Sequence, residues 1–400
     1  MRDGWVETVL GELAEITTGS RAKGGAITSG IPSIGGEQIA EDRSIKFNKM
    51  KFIPKDHFES MRTGKLKFGD SLLVKDGATT GKVGYWGYDI PAAVNEHVFI
   101  LRAKPDCAEP YFINLLISHR PFREEIESRT RGIIGGITRG IENIELVVPS
   151  LPEQKRIVDL ISSVDSYIEA LQQQLESAKR SRNAVLHELL TAGGDDWVET
   201  TLGEVVQMNP EQAKDFDSER QIKYVDLSTV TFDNGIDSEI DPIPFNEAPG
   251  RARRIIREND VIVATVRPYL KGFAFVNKDF NEQIASTGFC VIRAESELIL
   301  PELVWALVGS DDFVDFLIRR STGSSYPAVR PIDISEFNFM LPPFKDQETV
   351  SQLIRTFDQL IKDSLNLINS TQNLRSGLLS DLLSGEHEIP TSYDKVMGAA

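Results

Sequence analysis

The stretch Trp5-Val6-Glu7-Thr8-Val9-Leu10-Gly11-Glu12 recurs 192 residues later as Trp197-Val198-Glu199-Thr200-Thr201-Leu202-Gly203-Glu204, with seven of the eight residues identical. A second correspondence, at an offset of 193, joins residues 151–192 to residues 344–385. Self-similarity at a fixed period is the mark of a duplicated structural unit. The 400 residues therefore consist of two copies of one unit of about 192 residues.

Each copy ends in a segment whose apolar residues follow the 4-3 spacing of a coiled-coil seam. The segments lack internal proline, and at 1.5 Å per residue the roughly 38 residues of each helix would span about 57 Å. A seam of this length needs a partner, so we expect the two helices to pack antiparallel on each other. Flanking leucines such as Leu353 and Leu360 suggest that helices of another subunit dock there. The seam positions are Ile157, Ile161, Val164, Ile168, Leu171 and Leu175 in the first helix and Val350, Ile354, Phe357, Ile361, Ile368 and Leu378 in the second.

Between these landmarks the two copies diverge in residues but agree in layout. Gly69–Val74 parallels Asn259–Ala264, and Phe99–Ala103 parallels Cys290–Ala294, each a short β-like run. The predicted fold is α+β, with two mixed α/β domains related by pseudo-two-fold symmetry and separated by two long antiparallel coiled-coil helices. Either the middles have simply drifted, or they read different targets while the ends share one assembly task. The predicted segments are a domain at 1–150, a helix at 151–192, a second domain at 193–343, a second helix at 344–386 and a tail at 387–400.

The composition is that of an ordinary globular protein, with 40% hydrophobic and 26% charged residues. No run of about 18 apolar residues predicts a membrane span. The two cysteines, Cys107 and Cys290, indicate neither a disulfide framework nor a zinc site. We expect a cytoplasmic protein.

The net charge of −16 argues against a chain that binds nucleic acid strongly by itself. The charge is unevenly distributed. Residues 1–150 carry 20 basic and 20 acidic side chains, whereas residues 193–340 carry 14 and 26, a net charge of −12. A binding role is therefore more easily assigned to particular loops than to the whole surface.

Several loops in both halves combine glycine with hydrogen-bond donors. Arginine donates in pairs to guanine edges and phosphates, and threonine or backbone N–H groups bind phosphates. Any single loop of this kind is more often a plain surface turn, but the loops recur at matching places in the two halves. The candidate DNA contacts are Arg21, Lys23, Lys75, Thr80, Lys82, Arg131 and Arg139 in the first half, and Arg251, Arg253, Arg254, Arg267, Tyr269, Lys271, Ser324, Tyr326 and Arg330 in the second.

The segments that resemble catalytic motifs each lack a residue or a spacing that the motif requires. Gly77–Val83 resembles a phosphate-binding loop, but it has three residues between its glycines and a valine where a hydroxyl must bind Mg²⁺. Asn209–Gln212 begins like an adenine methyltransferase motif, but it lacks the aromatic residue that stacks on a flipped base. The five histidines have no ligand spacing. We expect a binding protein with no catalytic site, metal or cofactor of its own.

Over essentially its whole length the chain resembles the specificity subunits of Type I restriction–modification enzymes. The resemblance rests on the repeat starts at 5 and 197, the helix opening Pro149–Ile157, and the helix ends Leu189–Gly193 and Leu382–Glu386. Gly69–Gly77 and Thr265–Leu270 are similar to segments of that family's target-recognition domains. The second helix departs from the pattern, because it opens Phe344-Lys345-Asp346-Gln347 instead of Leu-Pro-Glu-Gln.

The resemblance implies that the chain binds double-stranded DNA with an asymmetric bipartite target, one half read by each domain. It also implies modification subunits that methylate adenine with S-adenosylmethionine, and restriction subunits that use ATP and Mg²⁺, so those cofactors would belong to the partners. Two other readings stay open. One is the recognition subunit of a related enzyme with methylation and cleavage in one polypeptide. The other is a coiled-coil scaffold for proteins, which the acidity of residues 193–340 favours.

Overall fold

The computed structural model describes residues 4–22, 24–131, 136–137, 140–192, 194, 196–214, 216–323 and 325–394, with the side chain of Arg131 left out. It divides into unit 1, Met1–Glu169 with Asn369–Ala400, and unit 2, Ala170–Ile368. The predicted α+β class is confirmed, whereas the predicted five-segment division stays a prediction. In the described part of the chain, the helices are too short or too polar to cross a bilayer.

Unit 1 is built around a four-stranded antiparallel sheet with the strand order β2-β8-β5-β6. Two smaller sheets, β1-β11 and β4-β3-β7, flank it. The strands are β1 (Val6–Val9), β2 (Ala14–Thr18), β3 (Ile31–Ile34), β4 (Lys51–Ile53), β5 (Asp70–Val74), β6 (Val83–Trp86), β7 (Ala93–Val94), β8 (Val98–Ala103), β9 (Thr130–Arg131), β10 (Gly136–Ile137) and β11 (Glu145–Val148). The helices are α1 (Leu10–Leu13), α2 (Lys55–Ser60), α3 (Pro110–Ser118), α4 (Arg120–Ser128) and α5 (Leu151–Thr191), which continues into unit 2.

Unit 2 repeats the same sheet in the order β13-β23-β20-β21, and β12-β24 corresponds to β1-β11. The strands are β12 (Val198–Thr201), β13 (Val206–Met208), β14 (Gln221–Ile222), β15 (Tyr224–Val225), β16 (Val230–Thr231), β17 (Gly235–Ile236), β18 (Ile243–Pro244), β19 (Ala252–Ile256), β20 (Val261–Ala264), β21 (Phe273–Phe275), β22 (Gln283–Ser286), β23 (Phe289–Ala294) and β24 (Asn338–Leu341). The helices are α6 (Leu202–Val205), α7 (Pro301–Val308), α8 (Asp311–Arg320), α9 (Pro331–Ser335) and α10 (Phe344–Ser384), which ends in unit 1.

The central strands β5 and β20 are buried along their whole length. Their apolar runs do not alternate with polar residues, as expected for strands covered on both faces. Helices α3 and α7 supply one cover, and each begins with proline in its first turn. The parallel segments identified in the sequence therefore fall on equivalent core strands. Gly69–Val74 and Asn259–Ala264 contain β5 and β20, and Phe99–Ala103 and Cys290–Ala294 lie in β8 and β23.

A buried ion pair crosses each sheet at the same place. In unit 1, Arg102 on β8 donates two hydrogen bonds, of 2.8 and 2.7 Å, to the carboxylate of Asp70 on β5. In unit 2, Arg293 donates equivalent bonds of 2.7 and 2.8 Å to Asp260. Both carboxylates are 1% exposed. Because a buried charge must be paired, these contacts fix the register of the two strands.

The long helices α5 and α10 are 41 residues each. In unit 2, Leu171 and Leu175 of α5 share a buried cluster with Ile368, and Leu186 shares another with Ile354. Later residues of α5 thus meet earlier residues of α10, so the helices are antiparallel there, as predicted. In unit 1, Ile157 and Ile161 pack in one core with Leu379 and Leu382 of α10. The seam residues Val164, Phe357, Ile361 and Leu378 are only half-buried.

Two equivalent ion pairs join the helices, one in each unit. Arg182 donates to Asp358 at 2.5 Å, and Arg375 binds Asp165 through two bonds, the Nη2–Oδ2 bond being 2.9 Å long. At the offset of 193, Arg182 corresponds to Arg375 and Asp165 corresponds to Asp358. Matching arginines at seam positions predict a register device or a salt bridge, and the structure shows the salt bridge.

A glutamine in the first turns of each long helix ties it to its neighbouring domain. Gln154 accepts a hydrogen bond from the N–H of Glu109 (3.0 Å) and donates to the carbonyl of Pro149 (3.0 Å). Gln347 accepts from the N–H of Leu300 (2.8 Å) and donates to Pro342 (3.2 Å). The unusual opening of the second helix therefore preserves this connection.

Candidate nucleic-acid interface

The loop that begins at Lys75 and the segment Gly136–Ile137, which lies between the candidates Arg131 and Arg139, come together beside the central sheet. The N–H of Ile137 donates to the carbonyl of Lys75 at 2.6 Å, and Asp76 forms an isolated bridge with Gly136. The ammonium of Lys75 lies 5.6 Å from the ring centroid of Phe99. These residues border an open groove of about 800 Å³, so Lys75 occupies a place where a ligand could reach it.

The other unit 1 candidates are distributed differently. Arg21 is exposed on the loop after β2. The hydroxyl of Thr80 donates to the carbonyl of Gly77 (2.7 Å), and Lys82 forms an ion pair with Glu41 (2.6 Å). Arg131 lies in β9, with its side chain outside the described part, and Lys23 and Arg139 lie outside the described residues.

In unit 2 the structure joins two predicted loops through Arg267 and Tyr326. The guanidinium carbon of Arg267 lies 4.4 Å from the centre of the Tyr326 ring, and the Arg267 N–H donates to the Pro327 carbonyl at 2.7 Å. Such stacking leaves the outer face and edge of a guanidinium available to a further planar group. Tyr326 is 68% exposed, whereas Arg267 is half-buried with its Nε shielded from solvent, so the accessible part of this aromatic–cation platform is mainly the Tyr326 ring.

The turn after Arg267 is conformationally strained. Arg267 and Lys271 have φ values of +50° and +47°, and they flank a short 3₁₀ turn, Pro268–Leu270. A non-glycine residue in this left-handed region costs roughly 1–2 kcal/mol. The turn exposes Tyr269 (49%) and Leu270 (64%), so the strain holds two large side chains out in solvent. Strain of this kind is typical of binding loops.

Of the predicted arginine cluster at 251–254, Arg253 and Arg254 lie on β19, and Arg251 immediately precedes the strand. Arg251 and Arg253 are exposed, whereas Arg254 is half-buried and its Nε has no hydrogen-bond partner in the described part of the chain. The carbonyl of Arg251 accepts a hydrogen bond from the N–H of Thr287. The carbonyl of the next residue, Gly288, accepts one from the N–H of Thr265, two residues before Arg267. The cluster thus neighbours the Arg267 loop. Burial raises the pKa of the nearby Cys290 thiol to about 12, which makes it unreactive.

Two other unit 2 candidates are already paired with carboxylates. Lys271 donates to Asp311 at 2.8 Å and is 28% exposed. Arg330 makes two hydrogen bonds to Asp333, of 3.1 and 2.9 Å, although 77% of its side chain is exposed. An anionic ligand would have to compete with these carboxylates for both cations. Ser324 lies outside the described residues.

Unit 1 also contains a basic groove of about 430 Å³ that was not among the sequence predictions, and we call it the α4 groove. Loop 40–43, the start of β6, the α3–α4 junction and α10 line it. The charged residues among those named in its lining are five cations and one carboxylate: Arg43, Lys82, Arg120, Arg123, Arg375 and Glu41. The signal that could have found it is the reversal of charge between Arg120 and the aligned Asp311 of the other copy.

Groups suited to metal binding are sparse in the described residues. Asp381, Glu386 and His387 place one ligand atom each within 4.8 Å of one another, but all three are exposed. Exposed acidic groups of this kind are common without an ion, so we assign no metal to them.

Comparison with known proteins explains this duplicated framework. Residues 2–180 match the family described as "Type I restriction modification DNA specificity domain". Over these residues, just under half of the chain, the protein is thus similar to the DNA specificity domain of Type I restriction–modification systems. The resemblance drawn from the repeat starts and the helix ends is therefore confirmed.

Curated relatives of this family are distant in sequence. The chain is 22% identical over 185 residues to the Type I restriction enzyme HindI specificity subunit of Haemophilus influenzae, a match that covers 46% of this chain and 40% of that relative. It is 21% identical over 285 residues to the MjaVIII specificity subunit of Methanocaldococcus jannaschii, covering 65% and 67%. The crystal structure of a Type I system S subunit from M. genitalium has the same fold, with a TM-score of 0.55, 16% identity, and coverage of 95% of this chain and 96% of that chain.

Proposed function

We propose that this chain is the sequence-specific DNA-binding subunit of a Type I restriction–modification complex. Each unit reads one half of an asymmetric bipartite target, and the long helices set the spacer between the halves. The observation that carries the proposal is the combination of one sheet framework, present twice with the same buried ion pair, and two unlike sets of loops on it. A duplicated reader with unlike loops suits a target with two unlike halves.

The proposed reading surface of unit 2 combines the Arg267–Tyr326 platform with the neighbouring β19 arginines. Arginine edges can read guanine, and aromatic faces can contact bases or sugars. In unit 1 the corresponding surface is the groove beside Lys75. Residues of β2, such as Thr18, line this groove, and Arg21 is exposed on the loop that follows β2. Phosphate contacts would position each unit, and base contacts would specify the sequence.

The helices also dock the modification subunits in this proposal. On α10, Leu353, Leu360 and Leu367 are spaced by seven residues and are 44%, 43% and 44% exposed. A heptad stripe of exposed leucines is suited to another helix, because exposed apolar stripes of this kind mark protein interfaces. The modification subunits would supply S-adenosylmethionine-dependent adenine methylation, and restriction subunits would supply the ATP- and Mg²⁺-dependent activities. The chain itself would contribute no catalysis.

The test is methylome sequencing of cells with and without this chain. Loss of one bipartite adenine-methylation motif is the expected result. No change in any methylated motif would contradict the proposal and would favour a scaffold for proteins, the alternative that the net charge of −12 of residues 193–340 supports.

A domain exchange assigns the halves. Replacing residues 14–148 with the corresponding segment of another specificity subunit should change one half of the methylated sequence and leave the other intact. Replacing Arg251, Arg253 and Arg254 by glutamine should weaken recognition of the other half only. Equal binding of mutant and wild-type complexes to all duplexes would remove these three residues from the reading surface.

A further inference from the structure

The two units cap equivalent helices in opposite ways. In unit 2, the hydroxyl of Ser310 accepts from the N–H of Phe313 (3.1 Å), and Asp311 and Asp312 occupy the first turn of α8. Negative groups at this end of a helix are favoured by its dipole. Asp311 also accepts bonds from Lys271 (2.8 Å) and from Asn183 of α5 (2.5 Å). A carboxylate of the chain itself thus occupies this end of α8.

In unit 1 the aligned helix α4 carries cations where α8 carries acids. Arg120 aligns with Asp311 and His119 with Ser310, at an offset of 191. His119 makes no side-chain capping bond, and the first turn of α4 contains no acid. Burial lowers the pKa of His119, so its imidazole does not add a charge at neutral pH. Cations are disfavoured at this end of a helix, and a bound anion would offset that cost.

The donors that hold Asp311 in unit 2 have counterparts in the α4 groove. Ser376 aligns with Asn183 at the offset of 193, and Lys82 immediately precedes β6 as Lys271 closely precedes β21. Equivalent donors are therefore present in unit 1, where Ser376 donates to the Gln372 carbonyl (3.0 Å) and Lys82 pairs with Glu41 (2.6 Å), so a ligand of the groove would replace these contacts. By comparison with the Asp311 carboxylate of unit 2, a ligand of the α4 groove would carry a negative charge and two acceptor oxygens.

The carboxylates near the α4 groove only partly neutralise its cations. Glu41, the partner of Lys82, is 84% exposed, and Asp165 is shared between Arg43 and Arg375. Arg120 pairs with Glu124 on the outer surface, where such pairs are weak. Within the described residues, no carboxylate lies within ion-pair distance of Arg123. The groove keeps an excess of positive charge in a chain of net charge −16.

We propose that the α4 groove binds a phosphate group of the DNA backbone, in the place that the Asp311 carboxylate takes in unit 2. This inference rests on the proposed function. A backbone phosphodiester carries one charge and two free oxygens, like the carboxylate it replaces. A row of such charges also suits a groove with five cations better than a single small anion does. The phosphate would position unit 1 on the duplex without any reading of its sequence.

The test exchanges the charge pattern of the two units. Arg120→Asp gives unit 1 the internal carboxylate of unit 2. Lys55→Asp, on α2, is the control, because it makes the same charge change at a side chain that is 80% exposed and outside the groove lining. The full chain, assembled with its modification subunit, is titrated with duplexes that contain or lack the bipartite site, at several salt concentrations.

Arg120→Asp should weaken binding to both kinds of duplex by the same factor. The slope of log K against log salt should become shallower by about 0.9 for each phosphate that the variant no longer binds. Lys55→Asp should leave the slope unchanged. Arg123→Gln should act in the same direction as Arg120→Asp, and it serves as the second variant if the first does not fold.

Three results would overturn the proposal. Equal effects of Arg120→Asp and Lys55→Asp would mean that only the net charge matters. Thermal stabilisation of the wild type by inorganic phosphate over chloride, with DNA binding unaffected by Arg120→Asp, would mean a free-anion site. Weaker assembly with the modification subunit would mean that an acidic segment of that partner occupies the groove. If the wild-type complex binds both duplexes equally, the proposed function fails, and the salt slopes still decide the phosphate site.

Discussion

The arginine that crosses the central sheet binds one carboxylate in unit 1 and two in unit 2, among the residues that the structure describes. Arg102 pairs with Asp70, whereas Arg293 pairs with both Asp260 and Glu211. Glu211 in turn binds Arg257. The strand order around both arginines is the same. The duplicated framework is thus kept, while the charges attached to it are rearranged.

The same difference is found at the helix ends. Unit 2 neutralises three of its cations internally, with Asp311 on Lys271 and Glu211 on Arg257 and Arg293. Unit 1 leaves an excess of cations in the α4 groove. The net charges of 0 for residues 1–150 and −12 for residues 193–340 follow this division. If the proposed function holds, we expect unit 1 to contribute more of the phosphate binding and unit 2 to depend more on specific contacts.

The largest expected effect comes from removing the shared buried carboxylate. Asp70→Asn leaves Arg102 without a carboxylate partner and should destabilise unit 1 by about 3 kcal/mol, since breaking one side of a buried pair strands a charge. Asp260→Asn should cost unit 2 less, about 2 kcal/mol, because Glu211 still binds Arg293. Hydrogen exchange of peptides from β8 and β23 measures the two units separately.

Asp89→Asn is the control, because Asp89 is exposed and the same chemical change there should not alter exchange. Equal losses of protection in Asp70→Asn and Asp260→Asn would show that Glu211 does not support Arg293 and would remove this difference between the units.

The pH dependence of stability should also distinguish unit 2 from unit 1, with a smaller effect than the loss of a buried carboxylate. Arg257 and then Arg293 hold the pKa of Glu211 at about 2, below its ordinary value of 4.5. A lowered pKa in the folded state stabilises the fold fully above the unfolded pKa, and this contribution is lost as the pH falls from 4.5 towards 2. The melting temperature of the wild type should therefore fall more steeply, as the pH is lowered over this range, than the melting temperature of Glu211→Gln. Parallel curves for the two proteins would contradict the role of Glu211.

The long-range architecture was predictable because its signals are local and periodic. The heptads of α5 and α10 and the repeat at residues 5 and 197 required no knowledge of tertiary contacts, and Arg182 and Arg375 could be recognised as a matched pair. The α4 groove was not predictable in this way. It brings Arg43 and Lys82 to Arg375 of the last helix, and such a grouping depends on how loops pack and not on any spacing along the chain.

The stacking of Arg267 on Tyr326 was also not predictable from the sequence. Each residue was identified singly as a donor or an aromatic contact, but their stacking depends on the N–H of Arg267 bonding to Pro327. Conversely, Lys271 and Arg330 looked available in the sequence, whereas folding brings Asp311 and Asp333 onto them. Partners of surface charges are set by tertiary structure, so individual site residues are harder to predict than the framework that carries them.

The smallest expected effect is at the helix caps, and it tests the comparison most directly. Ser310→Ala removes a cap from α8 and should cost about 1 kcal/mol, whereas His119→Ser offers α4 a cap that it lacks and should stabilise it by roughly 0.5 kcal/mol. Hydrogen exchange in the first turns of α4 and α8 measures both changes. A gain in His119→Ser would mean that the first N–H groups of α4 are unsatisfied within the free chain, as a site kept open for an anion requires. A loss of stability would mean that His119 contributes more through its packing than the missing cap costs, and the contrast between the two helices would then have a structural cause.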